Sequence, residues 1–101
     1  MALEEKYVKV FQKECNYLSF VVLDNLRRLS QEPQNEDYLA RLVQSADIMI
    51  GDSRFVDDSE LEQAATKVVK AFTGIHDASN ISDKLKSLTL DFTRINARYR
   101  G

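Results

Sequence analysis

The sequence predicts an all-α fold, an antiparallel up-down four-helix bundle. Apolar residues recur every three or four positions in four separate segments, which is the period of one face of a helix. The chain of 101 residues contains one proline and three glycines, so few positions interrupt long helices. No segment alternates apolar and polar residues as a strand does. Short loops between the four segments place successive helices antiparallel.

The first segment runs from about Leu3 to Leu29. Its stripe is formed by Leu3, Tyr7, Phe11, Cys15, Leu18, Val22, Leu26 and Leu29. Four more apolar residues widen that stripe, namely Val10, Tyr17, Phe20 and Val21. We expect these four to pack as well, because a long helix contacts more than one neighbour. Pro33 cannot continue the backbone hydrogen-bond ladder, and it ends the segment in a short loop.

The second segment begins near Asn35, whose side chain is predicted to cap the helix N-terminus. Glu36 and Asp37 follow, and their negative charge suits the positive end of the helix dipole. The inward stripe is predicted to be Leu39, Leu42, Val43, Ala46, Met49 and Ser53. Asp47 lies one residue off that stripe, so we expect it to face solvent.

The third segment begins at Ser59-Glu60-Leu61-Glu62, which has the spacing of a capping box. Its stripe is Leu61, Ala64, Ala65, Val68 and Phe72. Gly74 is predicted to end this helix as the C′ residue.

The last segment is predicted to be capped by Asn80, with Asp83 supporting the cap. Its stripe is Ile81, Leu85, Leu88, Phe92, Ile95 and Tyr99. Arg94, Arg98 and Arg100 lie near its C-terminal end, where positive charge complements the helix dipole.

Composition and charge exclude several classes of protein. We expect residues 1–101 to form one domain. The net charge is −2 and basic residues are interleaved with acids, so we expect no nucleic-acid partner. No apolar run approaches the roughly 20 residues that span a bilayer, and the charged N-terminus is unlike a signal peptide. We therefore expect a cytoplasmic protein without membrane insertion. Cys15 is the only cysteine, and we expect it to be a small core residue.

No pattern predicts a cofactor, a metal site or an enzyme. Asp52, Asp57 and Asp58 gather at the junction of the second and third segments, but their spacing does not match a calcium loop. Helix capping and loop chemistry are the simpler explanation for these three aspartates. The chain also lacks a glycine-rich phosphate loop and a nucleophile elbow.

One arrangement of residues resembles a known family. Phe11-Gln12-Lys13-Glu14 fits a Phe-x-x-Glu pattern in a long first helix, and Pro33 lies in the loop that follows. The second helix then carries Asp47, with Gly51 four residues later. This order is similar to that of the histidine-containing phosphotransfer domains of chemotaxis-type histidine kinases. The resemblance extends from about Phe11 to Tyr99.

At two positions this chain lacks the residues on which the chemistry of the family depends. In that family a small residue precedes the phospho-histidine, a lysine follows three residues later, and a glycine comes next. Here Ala46 holds the small position, Asp47 replaces the histidine, Ile50 replaces the lysine, and Gly51 is kept. Asp57 stands where the family usually has a glycine.

These replacements imply a domain that does not relay phosphate. A relay histidine attacks an acyl phosphate through its neutral ring nitrogen, and the lysine neutralises the phosphoryl oxygens. The resemblance therefore implies a degenerate domain of a two-component or chemotaxis system. It would dock onto a response-regulator receiver domain or a histidine kinase domain. The implied docking residues are Asp47, Ile48, Ile50, Gly51 and Arg54.

Plainer interpretations exist for the same residues. Asp47 is also consistent with an ordinary aspartate on a solvated helix face. Within the docking hypothesis, its charge could instead imitate that of a phosphorylated histidine. Gly51 fits equally the fraying end of the helix or a close contact between helices. Ile48 and Ile50 cannot both be buried along with Met49, so we expect at least one to be exposed.

Two other functions compete with the docking hypothesis. The first is an active phosphotransfer domain that uses another residue, and His76 is the only histidine in the chain. His76 is better explained as a surface histidine in a loop, because no lysine and glycine follow it at the relay spacing. The second is a general helical adaptor or assembly module, since bundles of this size serve many roles.

Overall fold

The computed structural model describes residues 5–100 and confirms the all-α four-helix bundle. The helices are α1 (Glu5–Gln31), α2 (Glu36–Phe55), α3 (Ser59–Phe72) and α4 (Ser82–Tyr99). A short 3₁₀ turn, Ser79–Ile81, precedes α4. The described chain contains no strand. Leu3, the predicted start of the first helix, lies outside the described residues.

The helices pack around one apolar core. α1 contacts both α2 and α4 along its length, α2 also contacts α3, and the seam between α3 and α4 is the smallest of the four. The largest fully buried apolar side chains are Leu26, Leu29, Leu42, Met49, Leu61, Phe72, Phe92 and Ile95. They come from all four predicted stripes, so the periodicity identified the inward faces. The prediction is wrong at Tyr7 of the first stripe, which is 48% exposed.

The prediction that four further apolar residues widen the packed face of α1 is wrong for three of them, Val10, Tyr17 and Phe20. Val10 is 59% exposed, Tyr17 is 66% exposed and Phe20 is 55% exposed, while Val21 is half-buried. The reason is geometric, because α2 and α4 lie on either side of the core stripe and leave the back of α1 to solvent. Tyr17 follows the fully buried Cys15 by two residues, which is about 200° around the helix axis.

Two predicted helix boundaries are confirmed. The Asn35 side chain accepts a hydrogen bond from the backbone N–H of Tyr38 at 3.1 Å, which makes it the N-cap of α2. Thr73 is the C-cap of α3, and Gly74 follows it with φ of +79°, the left-handed conformation that glycine adopts easily.

Two other predicted caps are wrong. Ser59 is the first residue of α3, and the N-cap is Asp58, whose Oδ1 accepts from the N–H of Leu61 at 3.0 Å. Asn80 lies inside the 3₁₀ turn, and α4 begins at Ser82 without a side-chain cap. Asp77 orders this turn instead, because its Oδ1 accepts from both the N–H and the hydroxyl of Ser79.

Asp58 also joins α3 to α4 at one end of the bundle. Its Oδ2 accepts hydrogen bonds from Arg98 Nη2 at 2.9 Å and from the Tyr99 hydroxyl at 2.6 Å. Burial and the bond to Asp58 raise the pKa of Tyr99, so the phenol remains a donor. Arg94 adds an ion pair with Glu60 at 2.9 Å. These contacts reinforce the smallest of the four helix–helix seams.

Replacing Asp58 is therefore expected to cost more stability than replacing an ordinary surface aspartate. Asp58→Ala removes the cap of α3 and leaves the half-buried Tyr99 hydroxyl without its acceptor. We expect the free energy of unfolding to fall by roughly 2–3 kcal/mol. Urea denaturation measures this change, with Asp47→Ala as the exposed control, expected within about 0.5 kcal/mol of the wild type. Equal effects of the two variants would contradict the role given to Asp58.

Candidate functional site

The rotation of α2 about its axis is fixed by its buried residues. Leu42, Ala46 and Met49 are fully buried, and Ser53 is 1% exposed. Because successive side chains turn by about 100°, the residues between them must point elsewhere. The predicted inward stripe of α2 is confirmed, although its member Val43 is only partly buried.

Asp47, Ile48 and Gly51 lie together on the outward side of α2. All three are exposed, and the Ile48 side chain, at 51% exposure, is one of the larger apolar groups open to solvent. The prediction that Asp47 faces solvent is confirmed. The prediction that at least one isoleucine is exposed is confirmed by Ile48. We refer to these three residues as the outer face of α2.

Gly51 has no packing role within the described residues. A Cβ atom added at this position would meet nothing within 4 Å. The helix also continues for four more residues, to Phe55. Both interpretations from packing, a fraying helix end and a close helix–helix contact, are therefore wrong. A glycine inside a helix lowers stability by about 1 kcal/mol relative to alanine. No packing contact that requires glycine offsets this loss within the described residues.

Ile50 does not point outward with the other three, whereas Arg54 follows Asp47 by seven residues and lies on nearly the same side of α2. Ile50 is partly buried and packs against the core. Arg54 Nε lies 2.9 Å from Glu62 Oε2, and its side chain remains 68% exposed. The structure thus brings Asp47, Ile48 and Gly51 together on the exposed side of α2. Arg54 lies two turns after Asp47 and pairs with Glu62 of α3, while Ile50 is turned toward the core. Arg54 would have to share its charge between Glu62 and any acidic partner.

Asp52 is the residue that sequence reasoning missed. It is 7% exposed on the side of α2 that faces α1, and its Oδ2 has no hydrogen-bond partner among the described residues. Burial, followed by a hydrogen bond with Glu14 and the negative charge of Glu14, raises the pKa of Asp52 to about 7. The expectation that capping or loop chemistry explains all three aspartates holds for Asp58 and is wrong for Asp52. One signal was its position three residues after the inward-facing Met49, which places both on the same side of the helix.

Aromatic rings close the seam between α1 and α2 near Asp52. The rings of Phe11 and Phe55 stack with centroids 4.4 Å apart and planes 6° apart. Cys15 is fully buried nearby, as predicted, and its burial and the charge of Asp52 raise the pKa of the thiol to about 12. A thiol in that state is unreactive at neutral pH. The buried groups at this seam are therefore structural.

His76 lies far from the outer face of α2. It is in the loop after α3, its side chain is 82% exposed, and its Nδ1 contacts the carboxylate of Glu36. Glu36 is in the first turn of α2, about 16 Å along the helix from Asp47. A phosphotransfer reaction at His76 would therefore use a different surface from the one that the family resemblance indicates.

Comparisons with known proteins assign no family to the chain. No protein-family model, no curated protein and no solved structure matches it. Within residues 5–100, no three or more His, Cys, Asp or Glu side chains are grouped so as to hold a metal ion. None of the described helices is long and apolar enough to cross a membrane.

The buried Asp52 carboxyl makes stability depend on pH. The pKa of Asp52 is about 7 in the folded chain and 3.8 in its ordinary state, so the folded protein keeps a proton that the unfolded protein has lost. The free energy of unfolding should therefore fall as the pH rises from about 4 to 7 and then level off. Asp52→Asn keeps the neutral shape and should remove this decline, which makes the variant more stable than the wild type at pH 8 by roughly 1–3 kcal/mol.

Urea denaturation between pH 4.5 and pH 8 measures the effect of Asp52→Asn. Asp47→Asn is the matched control, because Asp47 is an exposed aspartate on the same helix. That control should keep the decline seen in the wild type. An Asp52→Asn variant with an unchanged decline would contradict the account of the buried carboxyl.

Proposed function

We propose that this protein is a degenerate phosphotransfer-like domain that docks onto another signalling domain and does not relay phosphate. The partner would be a receiver domain or a histidine kinase domain of a two-component or chemotaxis system. The observation that carries the proposal is the open space over Gly51, next to an exposed isoleucine. An unpacked glycine and an exposed apolar side chain on the same side of a helix favour close approach by a partner protein.

The geometry of the outer face suits a small apolar contact. Ile48 supplies an apolar side chain, and Gly51, one turn later, leaves the helix backbone open to approach by a partner side chain. Asp47 adds one negative charge at the margin. Contacts of this kind bind most strongly where an apolar group fills a depression and excludes water, with charged groups at the rim.

The backbone after α2 also supports the family resemblance. Asp57 has φ of +55°, which is the left-handed region that favours glycine. This is the position where the phosphotransfer family usually has glycine. A turn that glycine would make easily is therefore kept here with aspartate, one of the residue types that tolerates it best.

The side chains at the former relay positions explain why phosphate chemistry is absent from the proposal. Asp47 is a single exposed carboxylate, whereas a phosphorylated aspartate in a receiver works with Mg²⁺ and further carboxylates. Ile50 stands in the place of the lysine, is partly buried and carries no charge. A phosphoryl group on Asp47 would have no cation on this part of α2 to neutralise it except Arg54, which is paired with Glu62.

Substitutions at Gly51 should separate stability from binding. Gly51→Ala fills open space in a helix and should raise the free energy of unfolding by about 1 kcal/mol. Gly51→Gln should also keep the fold, but it covers the open backbone beside Ile48. We expect Gly51→Gln to weaken binding to a cognate receiver or kinase domain at least tenfold, which is about 1.4 kcal/mol. Isothermal titration calorimetry measures the affinity and urea denaturation measures the stability.

Ala40→Gln provides the control for the Gly51 variants. Ala40 is exposed and lies eleven residues before Gly51, so it is on the same side of α2 about three turns away. Its replacement should leave the affinity unchanged. Tight binding by Gly51→Gln would contradict the proposed contact, and so would an equal loss in Ala40→Gln.

A further inference from the structure

A second surface feature lies at the other end of the bundle from residues 47–54. An open groove of about 800 Å³ runs between the C-terminal part of α1 and the N-terminal part of α4, beside the loop that contains Pro33. Its floor includes the buried side chains of Leu29, Ala78 and Leu85. Leu90, which is 70% exposed, forms an apolar wall.

The loop at the end of the groove is fixed to the bundle. The backbone N–H of Ala78 donates to the carbonyl of Pro33 at 2.8 Å, which joins the loop before α4 to the loop after α1. Asp77 holds the next turn through its two bonds from Ser79. The groove is therefore shaped by hydrogen-bonded backbone and buried side chains and does not depend on flexible surface groups alone.

The charges at the groove are all positive. Arg27 and Lys86 line it, and no Asp or Glu is among its lining residues. Within residues 5–100, neither cation forms an ion pair. The chain as a whole has a net charge of −2, so this local excess of positive charge runs against the overall balance.

We propose that this groove binds a small amphiphilic anion, a carboxylate attached to an apolar chain. The apolar chain would lie against Pro33, Leu85 and Leu90, above the buried Leu29 and Ala78, and the carboxylate would face Arg27 and Lys86. The volume is within the roughly 300–1,000 Å³ typical of small-molecule sites, which are mostly apolar with a few placed polar groups. A protein partner is a poorer fit, because eleven residues line the groove and a standard protein interface uses about 20–30 on each side.

This site is independent of the proposed docking on α2. Residues 47–54 lie eleven or more residues along α2 from its first residue, Glu36, which is at the end next to the groove. That separation is about 16 Å or more along the helix. Loss of one activity by substitution should therefore leave the other intact.

Titration with sodium octanoate tests the site directly. Amide chemical shifts of the labelled protein should change at Lys86, Leu90 and neighbouring groove residues, and the change should saturate. 1-Octanol has the same chain without the charge and should bind about fivefold more weakly. Sodium acetate has the charge without the chain and should cause no saturating change. Equal binding of octanoate and octanol would overturn the assignment of an anion site.

Variants of the two cations complete the test. Arg27→Gln and Lys86→Gln are exposed changes that should preserve the fold, and each should weaken octanoate binding about fivefold. Lys84→Gln, an exposed lysine of the same helix that does not line the groove, should bind octanoate like the wild type. Octanoate binding that is unaffected by Arg27→Gln and Lys86→Gln would overturn the proposal. Co-sedimentation with phosphatidylglycerol vesicles that Lys86→Gln abolishes would also overturn it, because the ligand would then be a membrane surface.

Discussion

The inward packing of α2 determines where every other residue of that helix must lie. Leu42, Ala46 and Met49 are fully buried among the neighbouring helices. Burying a side chain the size of Leu or Met is worth roughly 1.5–3 kcal/mol. A rotation of α2 by one residue, about 100°, would expose these side chains and lose most of this stabilising free energy. The outward position of Asp47, Ile48 and Gly51 follows from the core, so the proposed docking surface is part of the fold and not a separate feature.

Two neighbouring residues of α2 reduce the stability of the bundle. Gly51 places a helix-weakening residue where a side chain would fit without contact. Asp52 buries a carboxyl whose second oxygen has no partner in the described part of the chain. Natural proteins tend to break such local rules at functional sites and compensate elsewhere. The compensation here includes the Asp58 cap with its bonds from Arg98 and Tyr99, at the same end of the bundle.

Periodicity predicted the fold well because it reports burial directly. The buried positions of α2, α3 and α4 followed from residues spaced by three and four, and Asn35 and Gly74 marked helix ends through local chemistry. The errors came where several local solutions compete. Asp58 and Ser59 are adjacent candidates for one cap, and only the backbone path decides between them. The exposure of Tyr17 and the burial of Asp52 depend on where neighbouring helices lie, which the sequence of one helix does not specify.

The outer face of α2 was predicted only in part, again because the sequence of one helix does not specify its contacts with neighbouring helices. Asp47, Ile48 and Gly51 share one side of α2, as helical geometry requires. Ile50 and Arg54 were grouped with them from the family resemblance. Ile50 packs against the core instead, and Arg54 lies near the side of Asp47 but pairs with Glu62 of α3. The sequence of α2 does not specify the ion pair of Arg54, because its partner Glu62 belongs to α3.

An NMR titration of the isotopically labelled protein with receiver domains from its own source tests the central claim most directly. Each receiver would be added with and without beryllofluoride, which places it in its activated form. The account predicts chemical-shift changes confined to the outward amides of residues 45–55 with at least one receiver, and a dependence on beryllofluoride would show that docking responds to activation. Changes on another face, or none with any receiver or kinase domain, would contradict docking through α2 and favour a general helical adaptor.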